Sequence, residues 1–334
     1  MIRKNLIPPF VFLFGVLLTL MVAFLNGTHT EDDRMQEEFE QYYKIYTLTI
    51  PENLWFAGET VPMNDFEVKE RYDRELLTNV YWQSQTLLML KRANRFFPSI
   101  SPVLKQYNIP DDFKYVVVAE SGLQNVSSPA GAVGYWQFLD KTGKMYGLEI
   151  NEEVDERYHL EKATAAACKY FKEAYKEFNN WALVAASYNM GIEGVKKQLQ
   201  NQGVNNYYDL YLNTETSRYV LRILALKEVM EHPKLFGFNF TRKHLYESIP
   251  TIKVKVTKSI PDLAKFSLDN GANYKLLKVL NPWLRKPSLT VAEGKTYFIS
   301  LPKDKITQTD LLTEILNDTI PLEKTHFDTL MMRR

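Results

Sequence analysis

A single carboxylic acid, Glu120, stands where an apolar run meets a loop rich in glycine, serine and proline. The surrounding segment, residues 113–138, reads FKYVVVAESGLQNVSSPAGAVGYWQF. A carboxyl at the buried end of such a run loses hydration, which disfavours its charged form and raises its pKa toward the range of a general acid. The segment therefore predicts an active-site acid at Glu120, whereas an arbitrary helical glutamate more often pairs with an arginine or caps a neighbouring element.

The loop that follows this acid has residue types suited to a ligand. Gly131 and Gly134 allow the backbone to approach a bound molecule closely. The cluster at residues 135–138, YWQF, adds aromatic faces and a glutamine amide. Such groups suit sugar rings and their acetamido substituents.

Four ordered motifs resemble those of lytic murein transglycosylases, and most of all the membrane-bound lytic murein transglycosylase D group. The first two motifs are ESG at residues 120–122 and GAVGYWQF at residues 131–138. The others are ASYNMG at residues 186–191 and the pairs Glu215-Thr216 and Tyr219-Val220. The resemblance covers roughly residues 96–230, and four motifs in order are far more specific than any one of them.

The resemblance implies cleavage of the β-1,4 bond between N-acetylmuramic acid and N-acetylglucosamine in peptidoglycan, without water as the acceptor. Glu120 matches the family's single catalytic acid, which protonates the glycosidic oxygen. As a carboxylate it then takes the proton of the muramic C6 hydroxyl, which closes onto C1 to give a 1,6-anhydro sugar. No Asp or Glu lies between Glu120 and Asp140, although a second acid could come from Glu215 or elsewhere in the fold.

The resemblance also implies six substrate-binding residues: Ser121, Gln137, Tyr188, Asn189, Glu215 and Tyr219. We expect Ser121 to hydrogen-bond near the catalytic carboxyl, and the glutamine to contact polar groups of the substrate. Tyr188 and Asn189 are expected to face the scissile sugars from a second helix, with Glu215 and Tyr219 as the third wall of the site. Taken alone, the two tyrosines could equally be core aromatics with satisfied hydroxyls.

Helical patterns dominate the region around these motifs. A helix is predicted at residues 111–121, capped by Asp111 or Asp112. Further helices are predicted at residues 72–97, ending at Pro98, and at residues 160–178, 181–191 and 217–232. Cys168 follows an alanine-rich run and is expected to be a small buried residue. The predicted fold class is mainly α, with a lysozyme-like helical catalytic domain.

The sequence changes character after Pro233. Residues 251–257 and 296–301 predict strands, and residues 261–266 and 274–280 predict short helices. The order strand, helix, helix, strand looks like a divergent LysM module, a fold that binds glycans containing N-acetylglucosamine. The usual Gly-Asp after the first strand is missing, and a small α+β cap on the catalytic domain is the alternative.

Composition and the N-terminus bound the remaining possibilities. The net charge of +1 over 334 residues gives no support for nucleic-acid binding, and the five histidines are too scattered to propose a metal site. No cofactor is implied. Arg3 and Lys4 precede an uncharged run at residues 9–25, which predicts a signal peptide or membrane anchor with the rest of the chain outside the cytoplasm.

We therefore expect five regions. They are a signal peptide or anchor at residues 1–27, a linker at 28–71, a lysozyme-like transglycosylase domain at 72–240, a divergent LysM-like α+β domain at 250–303 and a tail at 304–334. The expected partners are peptidoglycan glycan strands and, through the N-terminal segment, a membrane, which implies the periplasm or cell envelope. The competing functions are a hydrolase of the goose-type lysozyme kind, in which water attacks, and a non-catalytic wall-binding scaffold.

Overall fold

The computed structural model describes residues 31–42 and 44–303, and the chain divides into two compact units, Met1–Thr47 and Leu48–Arg334. In the first unit the described part contains one helix, α1 (Glu31–Tyr42), whose residues 32–41 are exposed. The signal peptide or anchor predicted at residues 1–27 and the tail predicted at 304–334 lie outside the described residues. Within the described ranges, no helix combines the length and apolar character needed to cross a membrane.

The second unit is mainly helical, which confirms the predicted fold class. It opens with an antiparallel hairpin of β1 (Leu54–Phe56) and β2 (Glu59–Val61). The helices that follow are α2 (Phe66–Tyr81), α3 (Gln83–Gln106), α4 (Lys114–Ser121), α5 (Asp140–Met145), α6 (Leu160–Phe178), α7 (Trp181–Met190), α8 (Ile192–Gln202) and α9 (Thr214–Glu231).

Helix α9 is the centre of this helical core and packs against α2, α4 and α7. Its residues from Tyr219 to Leu221 and from Ile223 to Leu226 are buried, as expected for a helix that is apolar on most of its faces. Helix α4 is equally enclosed, since Tyr115 to Val118 are all buried, and the three valines among them are helical despite their β-branched side chains. Tertiary burial therefore outweighs the strand preference of three consecutive valines.

The helix end predicted at Pro98 differs from the structure. Helix α3 does not end at Pro98 but continues through Pro98 and Pro102 to Gln106. Burial of Phe97, Ile100 and Leu104 on the same helix offsets the backbone hydrogen bonds that the prolines cannot donate.

The predicted linker also differs from the structure over its second half. Leu54, Phe56 and Val61 are buried in the core, and α2 begins at Phe66, after Asp65, whose carboxylate caps the helix by accepting two backbone N–H groups.

The predicted aspartate cap of α4 is wrong. Asp112 instead accepts hydrogen bonds from the Ala57 N–H and Lys227 Nζ, both at 2.7 Å, and so joins the hairpin to α9.

The C-terminal region has the predicted order of strand, helix, helix and strand. Strand β3 (Thr251–Val256) pairs antiparallel with β4 (Tyr297–Pro302), and between them lie α10 (Leu263–Asp269) and α11 (Tyr274–Leu280). Buried leucines from both helices and Ile299 from β4 form a core separate from that of the helical part.

Residues 149–158 connect this C-terminal region to the helical part. The Asp155 N–H donates to the Trp283 carbonyl at 2.9 Å, and the Arg285 N–H donates to the Glu153 carbonyl at 2.7 Å. The Glu153 carboxylate also accepts the Thr290 N–H at 2.8 Å. We call residues 149–158 the connecting segment, because Arg157 within it also contacts the loop at residues 127–138.

Candidate active site

Glu120 lies one residue before the end of α4, and its side chain is half-buried. Gly122 ends the helix with a φ of +58°, a left-handed conformation that favours glycine. The Gly122 N–H donates to the Val118 carbonyl at 2.8 Å. The chain therefore turns sharply after Glu120, which leaves the carboxyl at the end of a buried helix with part of its surface accessible.

The environment of Glu120 raises the pKa of its carboxyl to about 7, and burial is the main cause. Two groups oppose this effect: the Tyr219 hydroxyl, which donates a hydrogen bond to Oε1, and the positive charge of Arg222. The negative charge of Glu215 raises the pKa further. A carboxyl with this pKa exchanges a proton readily near neutral pH, as a group that acts first as an acid and then as a base must do.

Two predicted tyrosines lie close to the acid. Tyr219 is 2% exposed, and its hydroxyl donates to Glu120. The Tyr188 hydroxyl donates to the Trp136 carbonyl at 2.7 Å, while its ring packs among Phe138, Trp136 and other aromatics. Burial and the charge of Glu120 raise the pKa of both hydroxyls well above the ordinary value, so both remain hydrogen-bond donors.

Asn189 and Glu215 meet where the C-terminal end of α7 approaches the N-terminal end of α9. The Asn189 amide nitrogen lies 3.5 Å from Glu215 Oε1, and its Oδ1 accepts the Thr216 hydroxyl at 2.8 Å. The Asn213 side chain caps α9 by accepting the N–H groups of Glu215 and Thr216. The structure thus brings together the second-helix and third-wall residues that the motifs predicted separately.

The loop at residues 127–138 is closed by its own backbone. Val133 forms bridges with both Ser127 and Phe138. Gln137 has a φ of +52°, and its amide nitrogen donates to the carbonyls of Val126 and Gly134 at 3.0 and 2.7 Å. The amide nitrogen of Gln137 therefore holds the loop, and the contact of this side chain with polar groups of the substrate stays a prediction.

Gly134 marks the place where this loop touches the connecting segment. Its φ is +83°, and a Cβ at this position would lie 2.0 Å from the Arg157 carbonyl oxygen. Arg157 in turn forms a bidentate pair with Asp155 and donates to the Phe138 carbonyl at 3.3 Å. Only glycine fits this close approach.

Ser121 is buried, and its hydroxyl contacts the backbone of its own helix end. It donates to the Val117 carbonyl at 3.2 Å and accepts the Gln124 N–H at 3.3 Å. These bonds stabilise the turn that presents Glu120. Ser121 thus forms its hydrogen bonds next to the residue that carries the carboxyl, and its role in substrate binding stays a prediction.

The sequence motifs missed two charged residues near the site, Arg222 and Glu75. Arg222 could have been found, because Glu215, Tyr219 and Arg222 are spaced for one face of a helix. Glu75 lies among other charged residues of α2 and carries no such signal.

Two further observations concern the described residues outside this site. No group of three or more His, Cys, Asp or Glu side chains within residues 31–42 and 44–303 is placed to hold a metal ion. A mostly apolar cavity of about 1170 Å³ lies between α3 and residues 233–245, and neither Glu120 nor the six predicted binding residues line it.

Comparisons with known proteins agree with this architecture. Residues 99–210 match the family model described as the transglycosylase SLT domain. Residues 252–305 match the model described as the soluble lytic transglycosylase C-terminal LysM-like domain.

Over 262 residues the chain is 28% identical to membrane-bound lytic murein transglycosylase D of Escherichia coli strain K12, a match that covers 75% of this chain and 56% of that protein. The protein of the same name from Escherichia coli O6:H1 gives the same values. The chain thus spans just over half the length of these curated relatives. A solved structure of an inactive mutant of lytic transglycosylase Slt from Pseudomonas aeruginosa is 16% identical, with a TM-score of 0.33 over 45% of this chain and 26% of that one.

Proposed function

We propose that this chain, which contains a transglycosylase SLT domain and a C-terminal LysM-like domain, is a lytic murein transglycosylase acting on peptidoglycan. It cleaves the β-1,4 bond between N-acetylmuramic acid and N-acetylglucosamine and leaves a 1,6-anhydro end. The observation that carries the proposal is the carboxyl of Glu120, half-buried, hydrogen-bonded by Tyr219 and with its pKa raised to about 7.

In the first step, the protonated carboxyl of Glu120 donates its proton to the glycosidic oxygen as the bond to C1 breaks. A pKa of about 7 keeps a large fraction of the carboxyl protonated near neutral pH. Positive charge develops on C1 and the ring oxygen in an oxocarbenium-like transition state. The 2-acetamido oxygen of the substrate can itself stabilise C1.

In the second step, the Glu120 carboxylate takes the proton of the muramic C6 hydroxyl, whose oxygen then bonds to C1. The carboxyl returns to its protonated form, and no water is consumed. The hydrogen bond from Tyr219 and the charge of Arg222 both favour the carboxylate between the two steps. One acid therefore completes the cycle.

The remaining predicted residues form the proposed substrate walls. Asn189 and Glu215 lie at the ends of α7 and α9 and offer an amide and a carboxylate to sugar hydroxyls. Tyr188 supplies aromatic surface near Glu120, and its hydroxyl connects it to the loop around Gln137 through the Trp136 carbonyl. Ser121 supports the turn that presents the acid.

A hydrolase is the second candidate, and the charge of Glu215 is the observation that favours it. A retaining or inverting glycosidase needs a second carboxylate near the acid. Glu215 is exposed, and it is close enough to Glu120 to raise the pKa of that group. The products distinguish the two reactions.

We further propose that the protein works in the cell envelope, in line with the curated relatives, which are called membrane-bound. The predicted anchor at residues 1–27 would provide the attachment. The hydrogen bonds of Glu153 support a role of the C-terminal domain as a cap on the helical part, whether or not that domain also binds glycan.

The test is digestion of purified peptidoglycan by the full chain in detergent beside its Glu120→Gln variant. Muropeptides lighter by one water than reducing-end sugars, absent with the variant, are expected. Reducing ends would show a hydrolase. Absence of cleavage by the folded wild-type chain would favour the scaffold function.

A further inference from the structure

A second glutamate, Glu75, contacts α9 from helix α2. It is 1% exposed, and its carboxylate meets three arginine side chains. Arg218 Nε lies 2.5 Å and Arg74 Nη1 lies 2.8 Å from Oε1, while Arg222 Nε lies 3.5 Å from Oε2. The buried carboxylate thus holds guanidinium groups from two helices.

The three cations outnumber the single anion that they surround. A buried carboxylate needs partners, but one or two close guanidinium groups already compensate it. The contact of Arg222 is the longest of the three, and its side chain is 27% exposed. Positive charge therefore remains available at Arg222 for a second acceptor.

Arg222 lies on the same face of α9 as Tyr219, the residue that contacts Glu120. The Tyr219 hydroxyl donates to Glu120, and Arg222 follows three residues later, on the same face of the helix. Arg222 lies close enough for its charge to oppose the effect of burial on the Glu120 carboxyl. Arg74, by contrast, contacts Glu75 with a side chain that is 55% exposed, so solvent screens its charge more strongly.

Other charged and titratable groups face this cluster from each element packed around it. They are Glu215, Arg218 and Tyr219 on α9, Tyr188 on α7, Arg71 and Arg74 on α2, and Tyr207 in the segment before α9. The tyrosines stay protonated because burial raises their pKa values above the ordinary value of a tyrosine hydroxyl. Among these groups, Arg222 is the one cation whose charge is felt directly at Glu120.

We propose that Arg222 is a positioning residue, held by the buried carboxylate of Glu75, that supplies the cationic field in which the Glu120 carboxyl works. In terms of the proposed function, on which this role in catalysis rests, the field stabilises the carboxylate that exists between proton donation and proton recovery. Arg222 acts through its charge on Glu120 and contacts neither the substrate nor the reacting atoms.

The proposal predicts opposite effects for the two partners of one ion pair. Arg222→Met removes the cation, so the pKa of Glu120 rises by about half a unit or more. Glu75→Gln removes the competing anion and leaves the full charge of Arg222 to Glu120, so the pKa falls. If the pair had only a structural role, both variants would be less stable, but they would not shift the pKa of Glu120 in opposite directions.

The experiment is a carboxyl ¹³C NMR titration of the full chain with labelled glutamate, in which the Glu120→Gln variant assigns the Glu120 signal. Arg222→Lys keeps the charge and is expected to stay close to the wild-type midpoint. Arg74→Met removes a different partner of Glu75 and is expected to move the midpoint much less than Arg222→Met.

Opposite shifts with a near wild-type Arg222→Lys midpoint support the proposal, and circular dichroism establishes that each variant is folded. Equal or same-direction shifts of Arg222→Met and Glu75→Gln overturn it. If Glu75→Gln does not fold, an unchanged midpoint in Arg222→Met overturns it alone. The titration reads a charge and needs no substrate, so a chain without transglycosylase activity would refute the proposed function and leave this result intact.

Discussion

Two glutamates contact helix α9 from neighbouring helices, and the fold gives them opposite surroundings. Glu75 is almost completely buried and has three arginines as partners. Glu120 is half-buried, and the hydrogen bond that it accepts comes from the neutral hydroxyl of Tyr219. Cations compensate the first carboxylate for its lost hydration, whereas the second is left largely uncompensated. The comparison shows that the partner, more than the depth of burial, decides whether a carboxyl becomes a structural anion or an acid.

Removing the compensated carboxyl should have the largest effect on stability. Glu75→Ala is expected to lower the free energy of unfolding by about 3 kcal/mol, the lower end for breaking a buried ion pair, because the arginines keep some access to water. Urea denaturation measures the change. Glu70→Ala, at an exposed position of the same helix, is the matched control and should cost less than about 0.5 kcal/mol. Equal losses would remove the distinction between the two regions.

The carboxyl of Glu120 should behave in the opposite way. Its pKa rises from 4.5 to about 7 on folding, so the folded state binds the proton more tightly. The stability associated with this proton is present below pH 4.5 and is lost as the pH rises through about 7. Glu120→Gln cannot ionise and should therefore be more stable than the wild type at pH 8, by on the order of 2 kcal/mol after allowance for partial exposure, but not at pH 4. Thermal unfolding at both pH values checks this, and a constant difference would contradict it.

Tyr219→Phe tests the hydrogen bond that Glu120 accepts from the Tyr219 hydroxyl. Loss of the bond should raise the pKa of Glu120 and move the alkaline limb of the kcat/KM profile to higher pH. It should also slow turnover at pH 7 by roughly tenfold, since the carboxylate formed between the two steps loses a charge-assisted bond. Tyr146→Phe removes a hydroxyl whose partner is Glu173, and it should leave the profile unchanged. A wild-type profile for Tyr219→Phe would show that the bond does not matter to the acid.

The smallest effect is expected at Glu215, which is exposed and acts on Glu120 through charge. Glu215→Gln should lower the pKa of Glu120 by a few tenths of a unit, and the alkaline limb should move accordingly. At pH 6 the value of kcat should change little, whereas KM should rise modestly because an amide replaces the carboxylate that Glu215 offers to sugar hydroxyls. Loss of most activity in this variant would instead identify Glu215 as a second catalytic carboxylate and would move the function toward a hydrolase.

The sequence predicted elements that depend on local pattern. The helices α6 and α11 have the predicted bounds, and the C-terminal strand, helix, helix, strand order is confirmed. The raised pKa of Glu120 could be predicted because the burial of its carboxyl follows from the apolar residues immediately before it in the chain. Each of the individual elements is specified within about 20 residues of sequence.

Features that depend on distant partners could not be predicted. Pro98 was expected to end a helix that in the structure continues because its other faces are buried. The hairpin of β1 and β2 lies in the charged stretch that the sequence predicted to be a linker. Its burial depends on distant contacts such as that between Phe56 and Phe113. Nothing local distinguishes Glu75 from other acidic residues of α2, since its partners Arg218 and Arg222 are about 140 residues away in the chain.

The connecting segment has a consequence for recombining this protein with its relatives. It hydrogen-bonds the C-terminal domain through Glu153 and Asp155, and it fits against Gly134 in the loop beside the acid through Arg157. A chimaera that exchanges the C-terminal domain at residues 245–250 would replace Thr290, the partner of Glu153, and would leave an interface whose two sides come from different proteins. The exchangeable module is therefore discontinuous in sequence, and a working graft has to transfer residues 149–158 together with residues 251–303.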